Sequence, residues 1–129
     1  MGPWKKTATL SDVFGISVYR ITWNNVFGYF VYPLSPLFYR VRTLPVRLMN
    51  KPMIVSELQA EPWFSDDVHT KDVSYWYGAF TAEDLKENVQ FVNDIGISEA
   101  YLWGAEWWEY LRLHGESRLW NEAKTLFQP

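Results

Sequence analysis

The stretch 51–63 holds most of the side chains with chemical potential. The apolar run Met53-Ile54-Val55-Ser56 ends in a carboxylate, Glu57, and Leu58-Gln59-Ala60-Glu61-Pro62-Trp63 follows with an amide, a second carboxylate and a tryptophan. A glutamate at the C-terminal end of a buried parallel strand stands at the rim of the sheet, partly removed from water. That setting suits a nucleophile attacking the anomeric carbon of a sugar. A plain surface carboxylate at a strand end fits the same pattern. Two other apolar runs end in residues of interest: 13–19 ends in Tyr19, and 100–104 contains Trp103, with Glu106, Trp107 and Trp108 just beyond. Tryptophan rings accept the C–H faces of pyranoses, and core packing accounts equally well for any one ring.

Three elements must position these groups. The runs 13–19, 53–57 and 100–104 do not alternate between apolar and polar residues, which predicts strands buried on both faces, as in parallel sheets. Helical patterns lie between and after them. The segment 37–50 carries apolar residues at helical spacing, and Pro45 inside it is expected to kink or restart the helix. Thr81, followed by Glu83 and Asp84, marks an N-cap; Leu85, Val89, Val92 and Ile95 continue the helix to Gly96. A last helix is predicted over 117–127. Strand, loop and helix thus recur three times, the signature of a parallel βα repeat. The strand ends, at 19, 57 and 103, lie 38 and 46 residues apart. A bare (β/α)8 barrel needs roughly 31 residues per unit, so the surplus falls in the loops after the strands, where such folds build active sites.

The segment from Ile54 to Trp63 resembles the seventh-strand motif of clan A glycoside hydrolases, the cellulase-like (β/α)8 enzymes. The run Asp12 to Tyr19 looks like their strand six, and Tyr101 to Trp108 looks like strand eight. The resemblance spans about residues 12–127. It implies an α/β fold, a partial TIM barrel made of strands six to eight with their helices, and a chain (1–129) that is the C-terminal fragment of one domain. It implies a retaining hydrolase in which Glu57 is the nucleophile, Tyr19 orients it, and Trp103 stacks beneath the cleaved sugar. Gln59, Glu61, Trp63, Glu106 and Trp107 would contact the substrate, an oligo- or polysaccharide. No metal or organic cofactor is implied. The clan's acid/base glutamate, at the end of strand four, has no counterpart in this sequence; Glu61 and Glu106 are the nearby loop carboxylates. A missing N-terminal half-barrel is therefore an expected partner, since three strands alone leave two open edges. Two other readings stand beside this one: a carbohydrate-binding remnant without turnover, and an association or membrane-surface module built on the aromatic stretch 23–39.

Bulk composition narrows the field. At 129 residues and 15.3 kDa, the chain suits one domain and is too short for a whole barrel of about 250 residues. There is no cysteine, so disulfides and Cys-ligated metals are excluded. His69 and His114 form no metal-spacing motif. Residues 1–50 carry six bases and one acid, whereas 51–129 carry six bases and fourteen acids. The scattered bases make a poor nucleic-acid surface. The uncharged stretch 21–39 is interrupted by Asn24, Asn25, Gly28, Pro33, Ser35 and Pro36, so a membrane span is not expected there. No signal-peptide pattern follows Met1, which points to the cytoplasm if the chain is complete.

Overall fold

The three apolar runs form one parallel sheet, with the middle run at its centre. The computed structural model describes residues 4–127. Strand β1 (Phe14–Val18) pairs with β4 (Met53–Gln59), and β4 pairs with β5 (Ala100–Trp103), in the order β1-β4-β5. Both pairings are parallel, as the βα pattern predicts. The C-terminal ends of all three strands therefore share one rim. Tyr19 lies one residue past β1, and β4 continues two residues beyond Glu57. The protein is of mixed α/β class.

The remaining elements fill the connections. Helix α1 (Trp4–Thr9) precedes β1, and a second sheet, the antiparallel hairpin β2 (Ile21–Asn24) and β3 (Gly28–Val31), follows it. Helix α2 (Pro36–Arg47) leads to β4; a 3-10 turn (Val68–Thr70), α3 (Val73–Ala79) and α4 (Ala82–Ile95) lead to β5; α5 (Ala105–Leu113) and α6 (Arg118–Thr125) end the described chain. Several stretches expected to be loops are thus ordered elements. The hairpin forms because β-prone residues flank an Asn-Asn turn: Trp23 faces Tyr29, and the Asn24 Oδ1 accepts from the amides of Val26 and Phe27 at 2.9 and 2.8 Å.

The predicted helix signals are met at α4. The Thr81 hydroxyl accepts from the Asp84 amide, the Asp84 carboxylate accepts from the Thr81 amide, and Gly96 ends the helix at φ +79°. The restart expected at Pro45 does not occur: helix α2 runs through it to Arg47, and Pro45 forgoes only its own N–H bond one turn back. Ser35 caps this helix and Pro36 opens it, a position where no N–H is needed.

Two apolar cores hold the layers together. One packs alternate residues of β1, Phe14, Ile16 and Val18, with Val55 and Leu58 of β4 against α1, α2 and α4. The other gathers Trp76, Phe80, Leu85, Trp107, Trp108 and Leu111 near the strand ends. Each fully buried side chain of this size contributes about 1.5–3 kcal/mol. The opposite residues of the sheet, Gly15, Ser17, Tyr101 and Trp103, remain exposed. One face of the sheet is therefore covered by helices and the other is open.

Candidate functional site

A register shift in β4 sets the geometry. Ile16 pairs with Val55, but Ser17 pairs with Glu57, so Ser56 is an extra residue. Such a bulge re-aims side chains and is common beside functional sites. Here it places Glu57 opposite Ser17. The Glu57 Oε2 accepts hydrogen bonds from the Ser17 hydroxyl at 3.2 Å and the Tyr19 hydroxyl at 3.1 Å. Burial, the hydrogen bond to Glu57 and the charges of Glu57 and Glu61 push the Tyr19 phenol up to about 12. Tyr19 thus stays protonated through the neutral range and acts as a donor.

Beside this pair lies a cavity of about 650 Å³ lined by Tyr19, Gln59, Glu61, Pro62, Trp63, Phe64 and Trp103. The Tyr19 and Trp63 rings meet edge to face at 6.2 Å. Trp63 and Trp103 are each half exposed, so their rings remain open to a ligand. Hairpin β2–β3 is fastened to this wall by the Tyr29 hydroxyl, which donates to the Trp63 carbonyl at 2.9 Å. Another cavity, of about 360 Å³, lies at the other ends of the strands, among Arg47, Lys51, Met53 and Ile97; it contains neither a carboxylate nor an aromatic ring. The cavity beside Glu57 brings carboxylates and aromatic rings together.

The second carboxylate is held with equal care. Trp103 Nε1 donates to the Glu61 Oε1 at 3.0 Å. Around it, the Trp108 Nε1 donates to the Ala60 carbonyl at 2.6 Å, and the Ala60 amide donates to the Trp103 carbonyl at 2.9 Å. The backbone at Gly104 comes so close that an added Cβ would stand 2.7 Å from the Ala60 carbonyl oxygen and 2.9 Å from the Glu61 Cβ. Its φ of +138° excludes ordinary side chains independently. Burial, then repulsion from Glu106, raises the Glu61 carboxyl from 4.5 to about 7, against the opposing pull of the Trp103 N–H. Glu61 can therefore donate a proton at neutral pH, which Glu106, exposed in the first turn of α5, helps it retain.

Two of the residues read as substrate contacts have other work. Gln59 borders the cavity, but it is buried and its amide is committed to the backbone. Its Oε1 accepts from the Arg20 and Ile21 amides, and its Nε2 donates to the carbonyls of Ile21 and Glu61. Its carbonyl accepts from the buried Asn88 Nδ2 of α4 at 2.9 Å. Gln59 is thus a brace for the strand end. Trp107 does not reach the cavity: it is buried, stacked on Tyr110 at 5.1 Å and edge to face with Phe64 at 5.0 Å. The correction follows from α5, which turns Trp107, Trp108 and Leu111 into the core. Glu57, Tyr19, Glu61, Trp63 and Trp103 do come together.

Residue-by-residue reading missed Ser17, Gly104, Trp108 and Asn88. Ser17 was within reach, since it shares a strand face with Tyr19 two residues on; the other three show their roles only through contacts distant in sequence. Among the described residues, no group of three or more His, Asp or Glu side chains could hold a metal ion. Comparison with known proteins returned no similarity: no family model, no curated protein and no solved structure matches the chain.

Proposed function

We propose that the chain is the C-terminal part of a clan A (β/α)8 glycoside hydrolase, with β1, β4 and β5 as strands six to eight and Glu57 as the nucleophile of a retaining hydrolysis. The observation that supports this most is the setting of Glu57. It is a carboxylate at the rim end of the central parallel strand, oriented by two hydroxyl donors and set beside an aromatic-lined cavity. Tyr19 and Ser17 fix one oxygen of the carboxylate and leave the other to attack. In the first step the bond between the Glu57 oxygen and the anomeric carbon forms as the bond to the leaving oxygen breaks. In the second, water cleaves the glycosyl–Glu57 ester. Trp103 and Trp63 supply the stacking faces, and Glu61, with its carboxyl raised to about 7, supplies a donor to a sugar hydroxyl in the share of molecules that hold its proton. The substrate is an oligo- or polysaccharide. The proton for a poor leaving group would come from the acid/base of a complementing N-terminal half-barrel.

The first step can be tested on this chain alone with an activated fluoro-glycoside bearing a dinitrophenolate leaving group, which departs without a proton. The expected result is a covalent glycosyl adduct, located by mass spectrometry on the peptide containing Glu57 and absent from Glu57→Gln. An adduct on Glu61 instead would reassign the nucleophile. Binding of the sugar with no adduct at all would leave the second reading, a carbohydrate-binding remnant without turnover.

A further inference from the structure

Helix α2 is apolar on two opposite sides. Its inner side carries Tyr39, Thr43 and Val46, all buried. Leu37, Val41, Leu44 and Leu48 recur at intervals of four, three and four residues, which aligns them in a stripe along the opposite side. They are 65, 62, 51 and 79 % exposed. The exposed apolar run extends upstream through Leu34, Tyr32 and Val31, and the hairpin tip presents Val26 and Phe27, 80 and 77 % exposed. Scattered exposed apolar residues need no explanation, but a contiguous patch does. This stripe points away from the sheet that α2 covers. Strands and helices added at the sheet edges would extend the layers sideways and leave it bare.

The surroundings of the stripe carry positive charge. No acidic residue occurs between Asp12 and Glu57. By helical spacing, Arg40 and Arg47 flank one side of the stripe, while Arg42 lies farther round, beyond Phe38 and toward α1. Arg47 donates to the carbonyls of Ile95 and Gly96, and Arg42 lies over the rings of Trp4 and Phe38; Arg40 is exposed beside the stripe. Lys5 and Lys6, on the helix packed against α2, are exposed as well. The acids of α4, Glu83, Asp84, Glu87 and Asp94, belong to the helix on the flank of α2 opposite α1. An anionic surface would therefore meet the outward stripe of α2, with the exposed Arg40 beside it and the exposed Lys5 and Lys6 of α1 toward its other flank.

We propose that this face is a peripheral membrane-binding surface, on which α2 lies in the interface of an anionic bilayer. Leu37, Val41, Leu44 and Leu48 enter the acyl boundary, and the arginines remain among the headgroups. An apolar stripe with basic flanks has the makeup of an interfacial helix. No helix among the described residues is long and apolar enough to cross a membrane, and this mode of binding needs none. A second copy of the chain would bring the same positive charges face to face, whereas anionic headgroups neutralise them. The inference stands independently of the sugar site.

The test is co-sedimentation of the full chain with vesicles of phosphatidylcholine alone and of phosphatidylcholine mixed with phosphatidylglycerol. The chain should partition onto the anionic vesicles at least about tenfold more strongly, since each base near such a surface adds roughly fivefold. Binding should weaken between about 0.1 and 1 M salt, as the screening length falls from about 10 to about 3 Å. The double variant Val41→Asp, Leu44→Asp should lose binding, and Arg40→Glu should weaken it. Glu57→Gln should bind as the unaltered chain does, which separates this surface from the sugar site. Absence of pelleting, equal pelleting with neutral vesicles, or pelleting that the aspartate pair leaves unchanged would each overturn the proposal. So would a dimer in ultracentrifugation that the aspartate pair dissolves, which would make a second copy the occupant. Both substituted positions are exposed, so the fold should persist; if it does not, the lipid and salt dependence of the unaltered chain decides.

Discussion

Glu61 is the residue whose ionisation differs most clearly from that of a free carboxyl. Its folded-state value, about 7, lies above the ordinary 4.5, so the native chain keeps a proton that the unfolded chain releases between those values. The stability linked to Glu61 is therefore fully present below about pH 4.5, falls as pH rises through the window, and levels off above about 7. Glu61→Gln removes this dependence. Denaturant melts at both ends of the window should show the variant gaining about 1–2 kcal/mol on the unaltered chain as pH rises, with solvent screening of a half-exposed group allowed for. Parallel curves for the two proteins would refute the assignment. Gly104 makes the complementary case. A methyl group there meets backbone rather than a movable side chain, so Gly104→Ala should destabilise by about 2–4 kcal/mol. It should also separate Trp103 from Glu61, visible as a changed indole N–H resonance.

At the scale of elements, local signals and local structure agree best where caps are present. Thr81 and Asp84 cap α4 reciprocally, and α4 in turn carries Asn88, which braces Gln59 at the end of β4. Thr81→Ala should lower stability by about 1 kcal/mol. Thr81 does not line the cavity, so sugar binding measured by tryptophan fluorescence should stay unchanged. Asn88→Ala, by contrast, strands the Gln59 carbonyl in a buried place. It should cost about 1–3 kcal/mol and weaken sugar binding together, since the segment holding Glu61 follows directly. The hairpin shows a different lesson. Its β-formers around Asn24-Asn25 carry the turn signal, which the absence of charge over 21–39 does not.

For the molecule as a whole, the sheet is paired unevenly. Strand β4 has a neighbour on both sides, while β1 and β5 each have one among the described residues. Hydrogen exchange should therefore be slowest at the β4 amides of residues 54–59, with the single-paired strands exchanging by smaller openings. Equal protection of all three strands in the isolated chain would mean that the free edges are covered by self-association. The open sheet face and the outward stripe of α2 lie on opposite sides of the layers, so a partner that completed the sheet and a membrane that received α2 could be engaged together.

The sequence by itself determined the three strands, their parallel order and the capped α4. Each depends on local patterning or on the alternation of strand and helix, which is written in neighbouring residues. Tertiary structure alone decided which aromatic rings face solvent. Trp103 and Trp107 are four residues apart, yet one lines the cavity and the other is core, because a strand ends and a helix begins between them. It also decided that the Gln59 amide braces backbone rather than meeting a ligand, since its four partner atoms, on Arg20, Ile21 and Glu61, lie in two separate segments. The stripe of α2 has the spacing of a core face, but periodicity states only that a face exists; packing of Tyr39, Thr43 and Val46 against the sheet turned the stripe outward. The raised ionisation of Glu61 has the same origin: burial and the nearness of Glu106 arise only when the ends of β4 and β5 are brought onto one rim.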